Sequence, residues 1–181
     1  MNDIISDNVK KAKNFLDDKE FDKAEDLLKE NLKITNNNFE TLFLLGSISG
    51  IKKKLSSSEN YFKQAIDINP TNSNALMNLA IICQKLNKLE NATDYFKKSL
   101  ELNGKNVNSL CGIAQIFEKK NNLKSAREYY YQVLEIDSNH HVANHSLGKL
   151  LLKLNKHKEG LKLIQKASGM IRFQQNEIKL I

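Results

Sequence analysis

One ten-residue phrase recurs along the chain at a fixed interval of 34 residues. It reads YFKQAIDINP, then YFKKSLELNG, then YYYQVLEIDS, beginning at residues 61, 95 and 129. Continued in both directions without gaps, the interval divides the chain into five units: 5–38, 39–72, 73–106, 107–140 and 141–174. A fixed period of roughly 20–50 residues is typical of arrays in which each unit buries its apolar face against its neighbours. We therefore expect a single solenoid over residues 1–174, followed by a C-terminal tail at 175–181.

The composition favours helices throughout these units. The chain has one Pro and seven Gly, so few positions would interrupt a helix. Val and Thr, which favour strands, are scarce, whereas Leu, Lys, Glu, Ile and Ala are frequent. The sequence therefore predicts an all-α fold.

Two positions in the 34-residue unit accept only small side chains. Position 8 is Ala12, Gly46, Ala80, Ala114 and Gly148, and position 20 is Ala24, Ser58, Ala92, Ala126 and Gly160. Large side chains lie at position 24, among them Phe62 and Tyr130. Because small residues opposite large ones allow helices to interlock, we expect the two helices of each unit to cross closely at these positions.

Asparagines mark the expected ends of the helices. At position 15, between the two helical halves, Asn can adopt the left-handed conformation that closes a helix. At position 34, Asn is a favoured N-cap for the next helix. The first set is Asn87, Asn121 and Asn155, and the second set is Asn38, Asn72 and Asn106.

Together these features resemble the tetratricopeptide repeat, a 34-residue helical hairpin with the pattern W-x2-L-G-x2-Y, A-x3-F and P. The resemblance covers about residues 5–170. The third unit matches it at Leu76, Leu79, Ala80, Cys83, Ala92, Phe96 and Gly104. The resemblance implies an all-α fold, a right-handed superhelical solenoid of antiparallel helical hairpins with a concave groove.

In similar proteins, the exposed positions of each first helix line a groove that binds extended peptides or partner helices. The corresponding residues here are Phe43, Ser47, Asn74, Met77, Asn78, Ile81, Asn108, Cys111, Gln115, Glu118, His145 and Lys149. An Asn amide can pair with both the N–H and the C=O of an extended peptide, which would suit Asn74, Asn78 and Asn108. The alternative is that surface Asn is merely frequent in an Asn-rich chain. Apart from Asn78, the Lys and Asn pattern by which some relatives hold a chaperone's C-terminal carboxylate is absent.

The C-terminal half suggests a second way of binding. Residues 73–181 carry 17 basic and 9 acidic residues, whereas 1–72 carry 11 and 12. The basic excess includes the lysine-rich segment 149–166, whose lysines we expect on a solvated face. The tail is apolar at Met170, Ile171, Phe173, Ile178, Leu180 and Ile181. It either caps the last unit as a strand-like or irregular segment, or docks onto a partner or a second copy of the chain.

Two functions follow as hypotheses. The leading one is a non-catalytic scaffold or adaptor that binds another protein or peptide in its groove. The alternative is an accessory subunit that docks a neighbouring glycosyl-, sulfo- or oxygenase-type enzyme through the basic last repeat and the tail. Nucleic acid is disfavoured as a partner because the chain has only two arginines, Arg127 and Arg172, and lacks aromatic stacking platforms.

No motif in the sequence predicts catalysis or a cofactor. The patterns GxSxG, GxxxxGK[ST] and HExxH are absent. His141 and His145 have the spacing of a two-histidine metal site but lack an evident third ligand, so we expect no metal. Cys83 and Cys111 are expected to be reduced and packed inside helices. Without a signal peptide or an apolar span in the sequence, we expect a cytoplasmic protein without membrane contact.

Overall fold

The computed structural model describes residues 2–168, 171–174 and 177–180. Over these residues the chain forms ten helices followed by two strands. The helices are α1 (Asn2–Asp17), α2 (Phe21–Ile34), α3 (Phe39–Ile51), α4 (Leu55–Ile68), α5 (Ser73–Lys85), α6 (Leu89–Leu102), α7 (Val107–Lys119), α8 (Leu123–Ile136), α9 (His141–Lys153) and α10 (His157–Ser168). The strands are β1 (Ile171–Gln174) and β2 (Glu177–Leu180). The predicted all-α repeat architecture is confirmed, and the C-terminal end adds a short hairpin.

The helix boundaries follow the 34-residue period of the sequence. From α3 onward, the first helices of successive hairpins begin at Phe39, Ser73, Val107 and His141. The second helices begin at Phe21, Leu55, Leu89, Leu123 and His157. Except for α1, which begins at Asn2, the helices therefore start at the same positions of each unit.

Side-chain caps explain why most first helices begin where they do. Asn38, Asn72 and Asn106 each accept a hydrogen bond from the backbone N–H three residues on, at 2.9, 2.9 and 3.1 Å. Each bond satisfies a donor that the first turn of a helix leaves unpaired. These predicted caps are confirmed. His140 takes the same role before α9, where its Nδ1 accepts from the N–H of Ala143 at 3.2 Å.

The turn inside each hairpin passes through a left-handed residue. Asn87, Asn121 and Asn155 have φ angles of 61°, 58° and 60°, as predicted. Lys19 and Lys53 occupy the equivalent position of the first two units, with φ of 61° and 59°. Lys lacks the local side-chain hydrogen bonding that helps Asn to adopt this conformation, so the first two turns are held by the surrounding helices.

The chain divides into two compact units, Met1–Leu102 and Asn103–Ile181. In the first, α1 packs on α2, α3 on α4 and α5 on α6, while α2 contacts α3 and α4 contacts α5. Its N-terminal core cluster consists of Val9, Ala12, Ala24, Leu28, Leu44, Leu45 and Ile48. Burial of these aliphatic side chains is the main force that holds successive hairpins together.

The second compact unit is built in the same way. Helix α7 packs on α8, α8 on α9, and α9 on α10. Tyr130, Leu147, Leu150 and Leu151 are fully buried there. After α10, β1 pairs with β2 in antiparallel register, with Ile171 opposite Leu180. The β1–β2 hairpin starts at Ile171, inside the last predicted repeat, 141–174. The strand-like tail therefore begins before the predicted boundary at residue 175. Met170 and Ile181, two of the predicted apolar tail residues, lie outside the described residues.

Close helix crossings occur at the small-residue positions, as the sequence predicts. At Gly46, an added Cβ would lie 2.9 Å from the ring of Phe62. The hydroxyl of Ser58 donates to the carbonyl of Gly46 at 2.7 Å across the same crossing. In α9 and α10, a Cβ on either Gly148 or Gly160 would lie 2.7 Å from the other's carbonyl oxygen. Since real Cβ atoms do not approach other atoms so closely, the helices can cross here only if these residues remain small.

Buried carboxylates tie successive hairpins of the first compact unit together. Glu25 of α2 is 7% exposed and pairs with Lys29, at 2.7 Å, and with Lys52 at the end of α3. Their hydrogen bonds lower the pKa of Glu25 to about 2. One repeat later, Glu59 pairs with Lys88 and Lys63 at 2.7 and 2.9 Å, which also lowers its pKa. The ionised form of each carboxylate is therefore the stabilising one.

Replacing Gly46 with alanine should destabilise the fold, because the new methyl group would overlap the Phe62 ring. We expect Gly46→Ala to lower the free energy of unfolding by about 1–3 kcal/mol. Gly50→Ala is the matched control on the same helix, since its Cβ would meet only the movable Cδ1 of Ile82 and the hydroxyl of Ser58, each at 3.3 Å. Urea denaturation followed by circular dichroism measures both, and equal stability of the two variants would contradict the proposed crossing.

The pairing of Glu25 should make stability depend on pH. Because its folded pKa lies below the ordinary value of 4.5, its contribution is complete above about pH 4.5 and is lost as the pH falls towards about 2. We expect Glu25→Gln to cost about 1–2 kcal/mol at pH 7, allowing for solvent screening around the partly exposed lysines, and almost nothing at pH 2.

Urea unfolding of the variant and the wild type at several pH values measures this difference. Glu30→Gln is the control on the same helix, because Glu30 pairs with Lys33 while both side chains are more than half exposed. Its effect should stay within about 0.5 kcal/mol at every pH. A penalty for Glu25→Gln that persists unchanged at pH 2 would show that charge is not its source.

Candidate functional site

The first compact unit contains a depression between α3 and α5 with a volume of about 240 Å³. We call it the α3–α5 depression. Its lining comes from three helices and comprises Gly46, Ser47, Gly50 and Ile51 of α3, Phe62 of α4, and Asn78, Ile81, Ile82 and Lys85 of α5. Since equivalent helices of successive hairpins stand side by side, the depression lies where the first helices of the second and third repeats meet.

Two glycines one turn apart, Gly46 and Gly50, line this space. Gly46 must be small because Phe62 packs against it, so the aromatic ring reaches the lining. Gly50 packs closely on α4 and α5, since a methyl group there would lie 3.3 Å from both Ile82 Cδ1 and Ser58 Oγ. Position 12 of the other units holds Leu16, Gln84, Glu118 and Leu152, all much larger than Gly50. A glycine at position 12 is therefore specific to the second repeat.

The exposed side of α3 is unusually apolar for a helix with a solvent-facing surface. Glu40, in the first turn, is its one charged residue. Ile51 is 55% exposed at the edge of the depression. A helix whose apolar residues extend beyond its core-facing stripe needs a partner for the remaining surface, either within the protein or outside it.

Three polar side chains stand around this apolar surface. The hydroxyl of Ser47 donates to the carbonyl of Phe43 at 3.0 Å and keeps its lone pairs as acceptors. Within the described part of the chain, the amide of Asn78 makes no hydrogen bond and the ammonium of Lys85 makes no ion pair. Asn78 and Lys85 are thus available to a ligand.

The structure brings three of the predicted groove residues together in the depression: Ser47, Asn78 and Ile81. Asn74 is exposed one turn earlier on α5, and Met77 is half-buried on the same helix. Phe43 has a different environment. Its ring lies 5.7 Å from those of both Phe39 and Phe62 and packs against the core cluster, so only part of it faces solvent.

The predicted groove residues of the second compact unit differ in how much surface they offer. Asn108 and Lys149 are exposed, and Gln115 is half-buried. His145 is half-buried, and its ring stacks on that of His141 with centroids 6.4 Å apart. Cys111 is only 6% exposed, and burial raises its pKa to about 11. Its thiol is therefore protonated at neutral pH and presents little surface to a partner.

The carboxylate of Glu118 accepts a hydrogen bond from a buried tyrosine. The hydroxyl of Tyr130 donates to Glu118 Oε2 at 2.9 Å. Tyr130 is fully buried, and desolvation raises its pKa, so the hydroxyl remains a donor. The side chain of Glu118, at position 12 of the fourth repeat, thus stabilises its own hairpin through this hydrogen bond.

Sequence reasoning missed Gly50, Ile51 and Lys85 as parts of the site. They occupy positions 12 and 13 of their repeats, and both positions belong to the exposed face of the first helix. Examining these positions unit by unit would have identified the residues. The absence of a large side chain at Gly50 is the signal that distinguishes the second repeat from the others.

The described residues contain no cluster of three or more His, Cys, Asp or Glu side chains placed to hold a metal ion. Both cysteines, Cys83 and Cys111, are free and buried, as the sequence predicts. In the part of the chain that the structure describes, no helix has the length and apolar character required to cross a membrane.

Comparisons with known proteins agree with this architecture. Family models of the tetratricopeptide repeat match residues 39–72 and 71–139. A comparison with curated proteins gave no match. Among solved structures, MamA from Desulfovibrio magneticus RS-1 is similar with a TM-score of 0.80 and 14% identity, over 92% of this chain and 94% of that one.

Two further solved structures share the fold. PilF of Pseudomonas aeruginosa superposes with a TM-score of 0.83 at 12% identity, over 93% of this chain and 77% of PilF. YrrB, described as a TPR protein with an unusual peptide-binding site, gives a TM-score of 0.71 at 18% identity, over 88% of this chain and 82% of YrrB. The adjoining family matches span residues 39–139, which is more than half of the sequence, and the helices keep the same period beyond them. The chain therefore belongs to the tetratricopeptide repeat family and has its all-α solenoid fold.

Proposed function

We propose that this chain is a non-catalytic protein-interaction scaffold that binds an extended peptide or a partner helix along the exposed face of its first helices. The observation that carries the proposal is the α3–α5 depression, where exposed apolar surface adjoins polar side chains without partners in the described structure. Repeat proteins commonly use such faces as extended binding surfaces, because each repeat adds the same positions to one side of the array.

The two asparagines of α5 have the spacing that an extended peptide requires. Asn74 and Asn78 are four residues apart, which is about 6 Å along a helix. Two residues of an extended strand span about 6.6 Å. Each amide offers donors and an acceptor to a peptide backbone, and neither is engaged elsewhere in the described residues. Together they would hold a peptide independently of its side chains.

The first helices of the second compact unit also offer polar side chains to a partner. Asn108 and Lys149 are exposed, and Gln115 and His145 are half-buried. They offer amide, ammonium and imidazole groups of the type that contact peptides. Cys111 contributes little to this surface because it is buried.

The solved structure of YrrB supports the same reading by analogy, since a protein of this fold has a peptide-binding site. The cysteine chemistry fits a scaffold better than an enzyme. Burial raises the pKa of both Cys83 and Cys111, which removes the thiolate that nucleophilic catalysis needs. We further propose that the chain works without a cofactor.

A second candidate function is docking of an enzyme, or of a second copy of this chain, through the C-terminal end. Two observations favour it. Lys149, Lys153, Lys156, Lys158, Lys162 and Lys166 are all exposed on α9, on α10 and in the turn between them. The described part of the tail forms a sheet of only two strands, and so small a sheet gains stability when its edges pair with another strand.

Removing the α5 amides should weaken partner binding if the first proposal is correct. We expect the double variant Asn74→Ala/Asn78→Ala to lower affinity for captured partners about tenfold to a hundredfold, since each lost hydrogen bond contributes about 1 kcal/mol. Affinity capture with quantitative mass spectrometry, followed by titration of each recovered partner, measures the change.

The matched control is Asn60→Ala/Asn91→Ala, which makes the same substitution at exposed positions of the second helices α4 and α6. It should capture the same proteins as the wild type. A chain ending at Ser168 tests the second candidate. Partners retained by the α5 variant but lost on this truncation would overturn the groove proposal and favour C-terminal docking.

A further inference from the structure

The size of the α3–α5 depression limits what can enter it. Its volume of about 240 Å³ is below the roughly 300–1,000 Å³ of sites for drug-sized ligands. An apolar cavity of about 150 Å³ is large enough to bind benzene. The depression therefore has room for one large aliphatic or aromatic side chain.

The lining matches an apolar side chain. Phe62 and Ile82 are almost completely buried and present apolar atoms to the space, and Ile81 is half-buried beside them. Ile51 is largely exposed at its edge and would be covered by an occupant. Because burial of apolar surface is the main source of binding free energy at such sites, an anchoring Leu, Ile, Met or Phe gains most here.

The charge of the lining defines a second requirement. Lys85 is the one charged residue among the lining residues that the structure describes, and no carboxylate accompanies it. It is exposed and makes no ion pair within the described part of the chain. By contrast, Lys52 and Lys88 on neighbouring turns are paired with Glu25 and Glu59. Lys85 is thus available to a carboxylate from outside.

The distance between Ile81 and Lys85 sets the spacing between the apolar and the acidic side chain of the ligand. Ile81 and Lys85 are four residues apart on α5, or about 6 Å along the helix axis. In an extended peptide, residues i and i+2 lie on the same side about 6.6 Å apart. In a peptide that runs along α5, an apolar side chain packed on Ile81 therefore places the side chain two positions away next to Lys85.

The geometry points to a specific ligand class: an extended peptide segment that carries one large apolar residue and, two positions from it, an Asp or Glu. The apolar side chain fills the α3–α5 depression, the carboxylate pairs with Lys85, and the amide of Asn78, three residues before Ile81, holds the peptide backbone on the other side of the apolar residue. This inference rests on the proposed function as a peptide-binding scaffold and names what the second and third repeats select.

Selection from a display library of random linear peptides tests this inference directly. The wild-type chain should enrich peptides with the apolar residue and the acidic residue at the stated spacing. Synthetic peptides from the selection, with amidated C-termini, are then titrated against purified variants by fluorescence polarisation. Gly50→Leu adds a large side chain to the lining of the depression and should weaken binding at least about tenfold, and Gly50→Ala provides a milder second variant.

Reversing the charge of Lys85 should change the selected sequence as well as the affinity. Lys85→Glu is expected to weaken acidic peptides about tenfold to a hundredfold and to enrich Lys or Arg at the position of the acid. Lys97→Glu is the matched control, because Lys97 is exposed on α6 and lacks a partner in the described residues. It should leave both the affinity and the selected sequences unchanged.

The outcomes separate this inference from the broader proposal. Peptides that lose affinity in Asn74→Ala/Asn78→Ala but bind Gly50→Leu and Lys85→Glu like the wild type would overturn the selectivity and leave the scaffold function intact. Binding that requires a free C-terminus would also overturn it, because the carboxylate would then be terminal. Failure of the wild type to enrich any peptide would count against both.

Discussion

The close crossing of the two helices in each hairpin is the constraint on which the rest of the structure depends. Gly46 lies against the ring of Phe62, and Gly148 lies against the backbone of Gly160, at distances that leave no room for another carbon atom. When helices approach this closely, their rotation about their own axes is also fixed. Within each compact unit, the same turns of the first helices then face the neighbouring hairpin, and the same turns remain exposed.

A second level of organisation follows from this fixed orientation. Glu25 and Glu59, at the same position of successive repeats, reach forward to lysines of the next repeat and are ionised because of them. Both carboxylates are thus engaged in ion pairs that stabilise the fold. On the exposed side of α3 and α5, Asn78 and Lys85 are left without such partners in the described structure, beside apolar surface. The paired polar groups therefore stabilise the fold, and the unpaired ones are those that we propose bind a ligand.

Most of the fold could be predicted from the sequence because its determinants are local and repeated. The period placed the helices, the asparagine caps before α3, α5 and α7 form as expected, and Asn87 adopts the expected left-handed turn. Lys19 and Lys53 take the same conformation against their intrinsic preference, since tertiary packing overrides propensity there. The site was only partly predictable. Its shape depends on distances between Gly50, Ile82 and Phe62, which no single segment encodes, and the burial of Cys111 depends on its neighbours in the same way.

Gly50 shows how an array of this kind could acquire new specificity. Gly50 lines the depression, whereas the equivalent positions of the other repeats hold the larger residues Leu16, Gln84, Glu118 and Leu152. A substitution at this position changes the proposed binding surface one turn away from the contact of Gly46 with Phe62. Evolution could therefore open or close a subsite in any repeat with a single codon change, and neighbouring repeats could diverge in their ligands while the shared architecture persists.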